Sequence, residues 1–269
     1  MSLRPKAVGW RRGLAAIGRT VRSRAGFILI LAALSWGVLR EAGRPRSWRR
    51  TVRAEFGRAL HQAAGGGLAT AVVTGALTGV ALVSQALYWL GFAGQQELEG
   101  ALVVTVLVRE LTPLLIGIIL LGRSGSVTVM ELGSLRQSGQ VRALGAMGID
   151  PALLLILPRA LAFALAGFTL GVVFVWVALV VGFVAGSLLG AVHETAWMFL
   201  DHVLSAMRAA DFAVFPAKMF SIGFLIAVTM CVTGLTLRPG YDAGRLLPLA
   251  FVRGVFVIML TSVVLSLAA

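Results

Sequence analysis

The sequence predicts an all-α integral membrane protein with an N-terminal interfacial helix, about five transmembrane helices and a cytoplasmic helix between the second and third. Hydrophobic residues occupy 58% of the 269 positions and charged residues only 13%, against about 25% charged in soluble domains. The mean hydropathy is +0.92. Several apolar runs exceed the roughly 18 residues that indicate a spanning helix.

The positive charge is concentrated at one end of the chain. The net charge is +13, and residues 1–60 hold 14 Arg and Lys against Glu41 and Glu55, which leaves +12 in that segment. Such an end indicates either nucleic-acid binding or a cytoplasmic segment on anionic headgroups, and the adjoining spans favour the second. We therefore divide the chain into a basic N-terminal interfacial segment, residues 1–60, and a transmembrane domain, residues 61–269, and expect no nucleic-acid partner.

The first apolar run, Gly26–Val38, is too short to span a bilayer comfortably. It has basic flanks, with Trp36 and Trp48 at positions that suit headgroup depth. We interpret it as a helix lying in the interface, and a spanning helix is the alternative. No small-residue cleavage site follows it, so a secretory signal peptide of the usual form is not expected.

Five longer runs predict the spans, and the loops between them predict the topology. The turn at Arg238–Arg245 and the segment Arg123–Pro151 are rich in arginine, whereas the loop Ala93–Gly100 carries only acidic charge. An N-terminus inside and a C-terminus outside satisfy the positive-inside rule for all three. The predicted spans are Leu68–Phe92, Ala101–Gly122, Ala152–Val192, Met219–Leu237 and Leu246–Leu267.

Two features of these spans leave alternatives open. The third run is long enough for one tilted helix or for a hairpin turning near Gly167, and we favour one helix because nothing polar marks a turn. Glycines also recur at four-residue spacing, which lets helices approach closely. They indicate packing within one subunit, and a dimer seam is the alternative; the positions are Gly75 and Gly79, Gly167 and Gly171, and Gly182, Gly186 and Gly190.

Arg109, Glu110 and Pro113 interrupt the second apolar run. A charge at the centre of a bilayer costs at least about 2.5–3.5 kcal/mol. Adjacent helical residues point about 100° apart, so Arg109 and Glu110 need separate partners. Pro113 has no N–H to donate to the carbonyl of Arg109. The three residues are candidates for a substrate pathway, and a charge network that locks helices together is the alternative.

No catalytic or metal site is expected. The chain has no Walker A motif. The Gly122–Ser126 sequence is similar to the segment around an intramembrane protease serine, but such a serine needs a nearby base. His61, His193 and His202 all lie outside the apolar spans and lack ligand-like spacing.

The segment Arg136–Pro151 predicts a short amphipathic cytoplasmic helix. Its apolar residues cluster on one face, and it ends in a turn with glycine and proline. It either lies on the membrane or docks in a groove of a partner protein. The candidate docking residues are Arg136, Gln140, Val141, Arg142, Leu144, Met147 and Asp150.

Six ordered motifs over about fifty residues resemble the signature region of the MlaE/YrbE-type permeases. Gly139 precedes Gln140 where the family commonly has Glu, and Leu135 replaces the usual Met. The motifs are Arg109-Glu110-Leu111-Thr112-Pro113, Gly122-Arg123-Ser124-Gly125, Glu131-Leu132-Gly133, Gln140-Val141-Arg142-Ala143-Leu144, Met147-Gly148-Ile149-Asp150-Pro151 and Pro158-Arg159.

The resemblance implies a non-catalytic permease subunit of an ABC-type lipid transporter, with phospholipid as substrate, in the bacterial inner membrane. Family members work as homodimers with two cytoplasmic ATPase subunits and an Mce-domain protein on the outer side. The resemblance makes Arg136–Pro151 the coupling helix. It assigns ATP and Mg²⁺ to the partner ATPase, with no cofactor in this chain. An ATP-independent secondary transporter and a structural membrane scaffold are the alternatives.

Overall fold

The computed structural model describes residues 26–86, 88, 101–190, 195–236 and 243–267, and every regular element in them is helical. The predicted loop Ala93–Gly100 and most of the turn Arg238–Arg245 lie outside these residues. In chain order, the eight helices of the described part are α1 (residues 26–42), α2 (Arg50–Ala86), α3 (Ala101–Gln137), α4 (Gln140–Ala146), α5 (Ala152–Leu188), α6 (Ala196–Ala206), α7 (Asp211–Leu235) and α8 (Ala243–Leu267).

Five of these helices, α2, α3, α5, α7 and α8, are long and apolar enough to cross a membrane. This confirms the predicted number of spans. The helices α2, α3 and α5 each have 37 residues, which corresponds to about 55 Å at about 1.5 Å per residue. They are therefore longer than a bilayer core of about 30 Å is thick.

Three helices extend beyond the predicted span boundaries into polar sequence. α2 begins at Arg50 rather than Leu68, so the division after residue 60 falls inside a continuous helix. α3 continues beyond Gly122, because four residues of its second half are buried between α7 and α8. α7 begins at Asp211 rather than Met219. The four buried residues of α3 are Thr128, Val129, Leu132 and Gly133.

The helix α5 lies at the centre of the bundle and packs against α2, α3 and α7. It is one helix, which confirms the single-span interpretation of the third run. A wide π-type turn at Ala152–Ile156 precedes Pro158. Pro158 lies in the first turn of the α-helical segment that follows, where its missing N–H costs little. The helix therefore continues through Pro158 without a break.

Glycines allow α5 to approach its neighbours, which confirms that they pack helices within the chain. A Cβ at Gly75 of α2 would lie 3.0 Å from the carbonyl oxygen of Phe174, and one at Gly79 would overlap the carbonyl oxygen of Ala178. Nearer the beginning of α5, a Cβ at Gly167 would lie 3.0 Å from the Met219 carbonyl oxygen of α7. Gly190 does not belong to this set, since it follows the end of α5 with φ of 69°.

The N-terminal helix α1 lies against two parts of the bundle. At its beginning, the guanidinium of Arg253 on α8 lies 4.4 Å from the centre of the Phe27 ring, a cation–π contact. Near its end, Leu34 and Val38 border a cavity shared with the beginning of α5. Contacts with α8 at one end and α5 at the other favour a helix that crosses the bundle, as the interfacial interpretation requires.

The turn between α1 and α2 is held by polar contacts. The Ser47 hydroxyl donates to Glu41 at 2.8 Å, Arg44 pairs with the same carboxylate, and Trp48 Nε1 donates to the Ala42 carbonyl at 3.0 Å. The hydrogen bond from Ser47 and the charge of Arg44 lower the pKa of Glu41. This carboxylate therefore stays ionised at the connection between the two helices.

We expect Gly79→Ala to destabilise the bundle, because the added Cβ would force α2 away from the backbone of α5. Overpacking of this kind costs about 1–3 kcal/mol, and it should lower the midpoint of thermal unfolding in detergent. Gly57→Ala, in the same helix, is the control. Gly57 has open space around it, so alanine should leave the midpoint unchanged or raise it slightly. Equal midpoints for the two variants would contradict the close-packing interpretation.

Candidate functional site

A cluster of charged side chains lies at one end of the bundle, where α3 and α7 begin and α8 ends. Arg109 and Glu110 come from α3, Asp211 and Lys218 from α7, and Ser266 from α8. Because α4 directly follows the other end of α3, the cluster and α4 lie at opposite ends of the bundle.

Arg109 is paired with an aspartate from α7. Its Nη2 lies 2.7 Å from Asp211 Oδ2, and the same oxygen accepts a hydrogen bond from the backbone N–H of Arg208 at 2.8 Å. Asp211 is buried, whereas the Arg109 side chain is about one-third exposed. The Nε atom of Arg109 has no hydrogen-bond partner in the described part of the chain. The guanidinium therefore keeps donor capacity beyond its contact with Asp211.

Lys218 is the most enclosed charge of the cluster, with 2% of its surface exposed. Its Nζ donates to the carbonyl oxygen of Arg109 at 2.6 Å and to Ser266 Oγ at 2.8 Å, and it lies 3.5 Å from Glu110 Oε1. Ser266 in turn donates to the same Glu110 oxygen at 2.8 Å. One ammonium group thus connects α3, α7 and α8.

The contact between Lys218 and the Arg109 carbonyl replaces a hydrogen bond that Pro113 cannot donate. Pro113 cannot donate to this carbonyl, and the helix around it takes wide turns over Val104–Leu111. The lysine supplies the missing donor. The prediction of separate partners for Arg109 and Glu110 is confirmed, since Arg109 pairs with Asp211 and Glu110 with Lys218. Pro113 itself is buried in the bundle and does not line the adjoining cavity.

A cavity of about 320 Å³ opens beside the cluster. Its charged lining consists of three cations, Arg109, Arg208 and Lys218, and two carboxylates, Glu110 and Asp211, a net charge of +1. The Asp211 carboxylate is buried and paired with Arg109. The Glu110 side chain is 49% exposed. This volume is at the lower end of the range for ligand pockets, about 300–1,000 Å³. The site can therefore receive a small anionic group.

At the other end of the bundle, the predicted coupling residues divide among three elements. Gln140, Val141, Arg142 and Leu144 lie in α4, and Met147 follows it. Asp150 accepts a hydrogen bond from the N–H of Ala152 at 2.9 Å, at the beginning of α5. Arg136 lies in the final turn of α3.

The predicted helix Arg136–Pro151 is thus too long, because left-handed glycines end it on both sides. Gly139 has φ of 77° and Gly148 has φ of 73°, and such angles favour glycine. No residue of α4 is buried. Arg136 belongs to α3 rather than to α4. The other predicted residues lie in α4 or in the segment that joins it to α5.

Sequence reasoning missed three members of the charged cluster. Asp211 and Lys218 were placed in a loop, His193–Lys218, and Ser266 was not singled out. Asp211 and Lys218 are two helical turns apart, so they share a face if the segment between them is helical. The mostly apolar composition of residues 212–217 is the signal that could have extended the helix to Asp211.

The same end of the bundle as α4 contains a second ion pair. Arg159 Nη2 of α5 lies 3.0 Å from Glu131 Oε2 of α3, and the Arg159 Nη1 donates to the carbonyl of Leu155 at 3.1 Å. Two of the six sequence motifs therefore meet in space. Among the described residues, no cluster of histidine, cysteine and carboxylate side chains could hold a metal ion.

These features define a multi-pass α-helical membrane protein with a charged cavity at one end and an exposed short helix at the other. The family model Permease MlaE matches residues 56–268. The chain therefore belongs to the MlaE permease family.

Curated relatives agree with this assignment. A probable ABC transporter permease protein of Synechocystis is 30% identical over 64% of this chain and 65% of its own length. Protein TRIGALACTOSYLDIACYLGLYCEROL 1 of Arabidopsis thaliana is 28% identical over 72% and 53%. The intermembrane phospholipid transport system permease protein MlaE of Haemophilus influenzae is 27% identical over 57% and 56%. The chain thus spans between half and two thirds of the length of these relatives.

We expect Lys218→Met to destabilise the protein, because it leaves the Arg109 carbonyl without its donor. A buried group without its hydrogen bond costs about 1–3 kcal/mol, which thermal unfolding in detergent should detect. Arg58→Met is the control, since Arg58 forms an exposed pair with Glu55 that is worth about 0–1 kcal/mol. A change of the same size in both variants would argue against Lys218 as the link between the three helices.

Proposed function

We propose that this chain is the transmembrane subunit of an ABC-type transporter for phospholipid or a related lipid, and that two copies form the lipid pathway. The observation that carries the proposal is the net positive cavity beside Arg109 in a member of the MlaE permease family. The Haemophilus relative, named as a phospholipid transport permease, supports the choice of lipid.

The chemistry of the cavity suits a phosphate group. Arginine is charged at every physiological pH and forms paired hydrogen bonds to phosphate oxygens. The Arg109 side chain is about one-third exposed although it pairs with Asp211, and Arg208 lines the same cavity. In this proposal, Glu110 offsets part of the positive charge when the cavity holds no lipid.

The distribution of charge supports an orientation. With the basic N-terminal residues inside, α4 lies in the cytoplasm and the charged cavity lies towards the outer face. The inner membrane of a bacterium, as the location in this proposal, is suggested by the family and not by this charge distribution. An Mce-domain protein at the outer face would then receive or deliver lipid beside the cavity.

The chain needs a partner to use ATP, because its sequence contains no Walker A motif. The exposed helix α4 suits docking in a groove of a cytoplasmic ATPase. Val141 and Leu144 are half-buried against the bundle, whereas Arg142 and Met147 are exposed. The permease itself is non-catalytic in this proposal, and ATP and Mg²⁺ bind to the other chain.

The first test is purification of this protein in mild detergent from its native membrane, followed by mass spectrometry of bound proteins and lipids. We expect a stoichiometric ATPase, an Mce-domain protein and phospholipid. Arg109→Ala should retain roughly tenfold less phospholipid, since a hydrogen bond to a charged group is worth about 1.5–3 kcal/mol. Arg58→Ala, at an exposed position, should retain as much as wild type.

Three other outcomes have separate meanings. If an ATPase co-purifies and Arg109→Ala retains as much phospholipid as wild type, the transporter assignment stands. Arg109 and Glu110 would then have only a structural role. A folded preparation without any ATPase would favour an ATP-independent secondary transporter. A folded preparation with neither ATPase nor lipid would favour a membrane scaffold.

We also expect Arg142→Glu on α4 to reduce co-purification of the ATPase at least about tenfold, while the thermal midpoint of the permease stays unchanged. Arg142 is exposed, so we expect its reversal to act on docking rather than on the stability of the bundle. The matched control is Arg58→Glu, an exposed charge reversal on α2. Normal ATPase recovery with Arg142→Glu would exclude α4 as the docking element.

A further inference from the structure

The ion pair between Glu131 and Arg159 connects the two long helices that flank α4. The residues are 28 positions apart in sequence, and their side chains meet at 3.0 Å. The Arg159 side chain is 7% exposed and the Glu131 side chain 43%. The pair closes the base of a hairpin that consists of the end of α3, then α4, then the beginning of α5.

The helix α4 has few other attachments to the bundle. None of its residues is buried, and it packs mainly against the end of α3. Left-handed turns at Gly139 and Gly148 bound it on both sides. Backbone hydrogen bonds connect α4 to both turns. The N–H of Ala143 donates to the Gly139 carbonyl and the N–H of Ile149 to the Leu144 carbonyl, both at 3.0 Å. Its position therefore depends on the two helices to which it is joined.

The contacts of Arg159 fix this junction from the side of α5. One guanidinium nitrogen binds Glu131 and another binds the carbonyl of Leu155, in the wide turn where α5 begins. Asp150 holds the same turn from its other side by accepting from Ala152. The bond to Leu155 orients the guanidinium within α5. The single charge-assisted bond to Glu131 then fixes the relative position of α3 and α5 more closely than apolar contact, which allows helices to slide.

We infer that Glu131 and Arg159 are positioning residues for α4. They hold α3 and α5 together at its base, so that a displacement of α4 moves both helices. α3 continues without interruption from Arg109 and Glu110 to Glu131. A displacement at α4 is thus passed along a single helix to the charged cavity. The agent of that displacement, a docked ATPase, rests on the proposed function, whereas the positioning of α4 does not.

The test begins with the permease alone. Glu131→Ala removes the pair and leaves the hydrogen bond from Arg159 to Leu155 in place. We expect hydrogen–deuterium exchange over residues 138–150 to rise at least about tenfold, while exchange over residues 222–232, in the buried middle of α7, stays unchanged. Glu55→Ala is the control, because Glu55 also forms an ion pair, with Arg58 at 2.7 Å, but within one helix rather than between α3 and α5.

The second readout is the amount of lipid moved per ATP hydrolysed by the complete complex. Glu131→Ala should lower this ratio with little change in ATP hydrolysis itself, and Glu55→Ala should leave it unchanged. Glu131→Gln, which keeps the size of the side chain and removes its charge, serves as the test variant if the alanine variant does not accumulate.

Two results would overturn the inference: unchanged exchange over residues 138–150, or a rise of equal size throughout the bundle, which a general structural role predicts. An unchanged transport ratio despite the local rise would overturn the coupling step. A local rise in exchange, in a protein with which no ATPase associates, would leave the positioning role in place and refute the proposed function instead.

Discussion

Every charge inside the apolar bundle must find its partner within the protein, because hydrocarbon offers no hydrogen bonds. The structure meets this constraint at Lys218, whose ammonium group satisfies the carbonyl that Pro113 leaves without a donor. That contact brings α3, α7 and α8 together and places Arg109 beside Asp211. Pro113 and the charges near it therefore form one connected arrangement beside the cavity.

The close approach of the helices makes such pairing possible. Side chains reach each other across helices only when the axes are near, and small residues along α5 let α2 and α7 come close to it. The charged groups are at the two ends, and the middle of the bundle is filled by buried apolar residues such as Phe163 and Phe174. The polar chemistry of the chain is thus divided into an end with a cavity and an end with α4.

The sequence was sufficient for the number of spans, the single helix α5 and the separate partners of Arg109 and Glu110. It was not sufficient for helix ends, because hydropathy falls where charges begin, whereas α3 continues for as long as Leu132 and its neighbours find a surface to pack against. Nor did it identify Asp211 and Lys218 as partners, since they lie 102 and 109 residues from Arg109. Contacts at such separations depend on how the helices pack, which no local pattern records.

The helix α3 connects the two ends of the molecule. It carries Arg109 near its beginning and Glu131 near its end, and each is tied by an ion pair to a different helix, α7 and α5 respectively. A rigid-body shift of α3 must therefore strain both pairs or move both neighbours. Its wide turns at Val104–Leu111 and Leu121–Gly125 are points of local adjustment, but α3 remains one continuous helix through both of them. Pro113 follows the first of these turns, and the Gly122–Gly125 motif lies in the second. Two of the motifs that the sequence singles out therefore lie where the geometry of α3 departs from a regular α-helix.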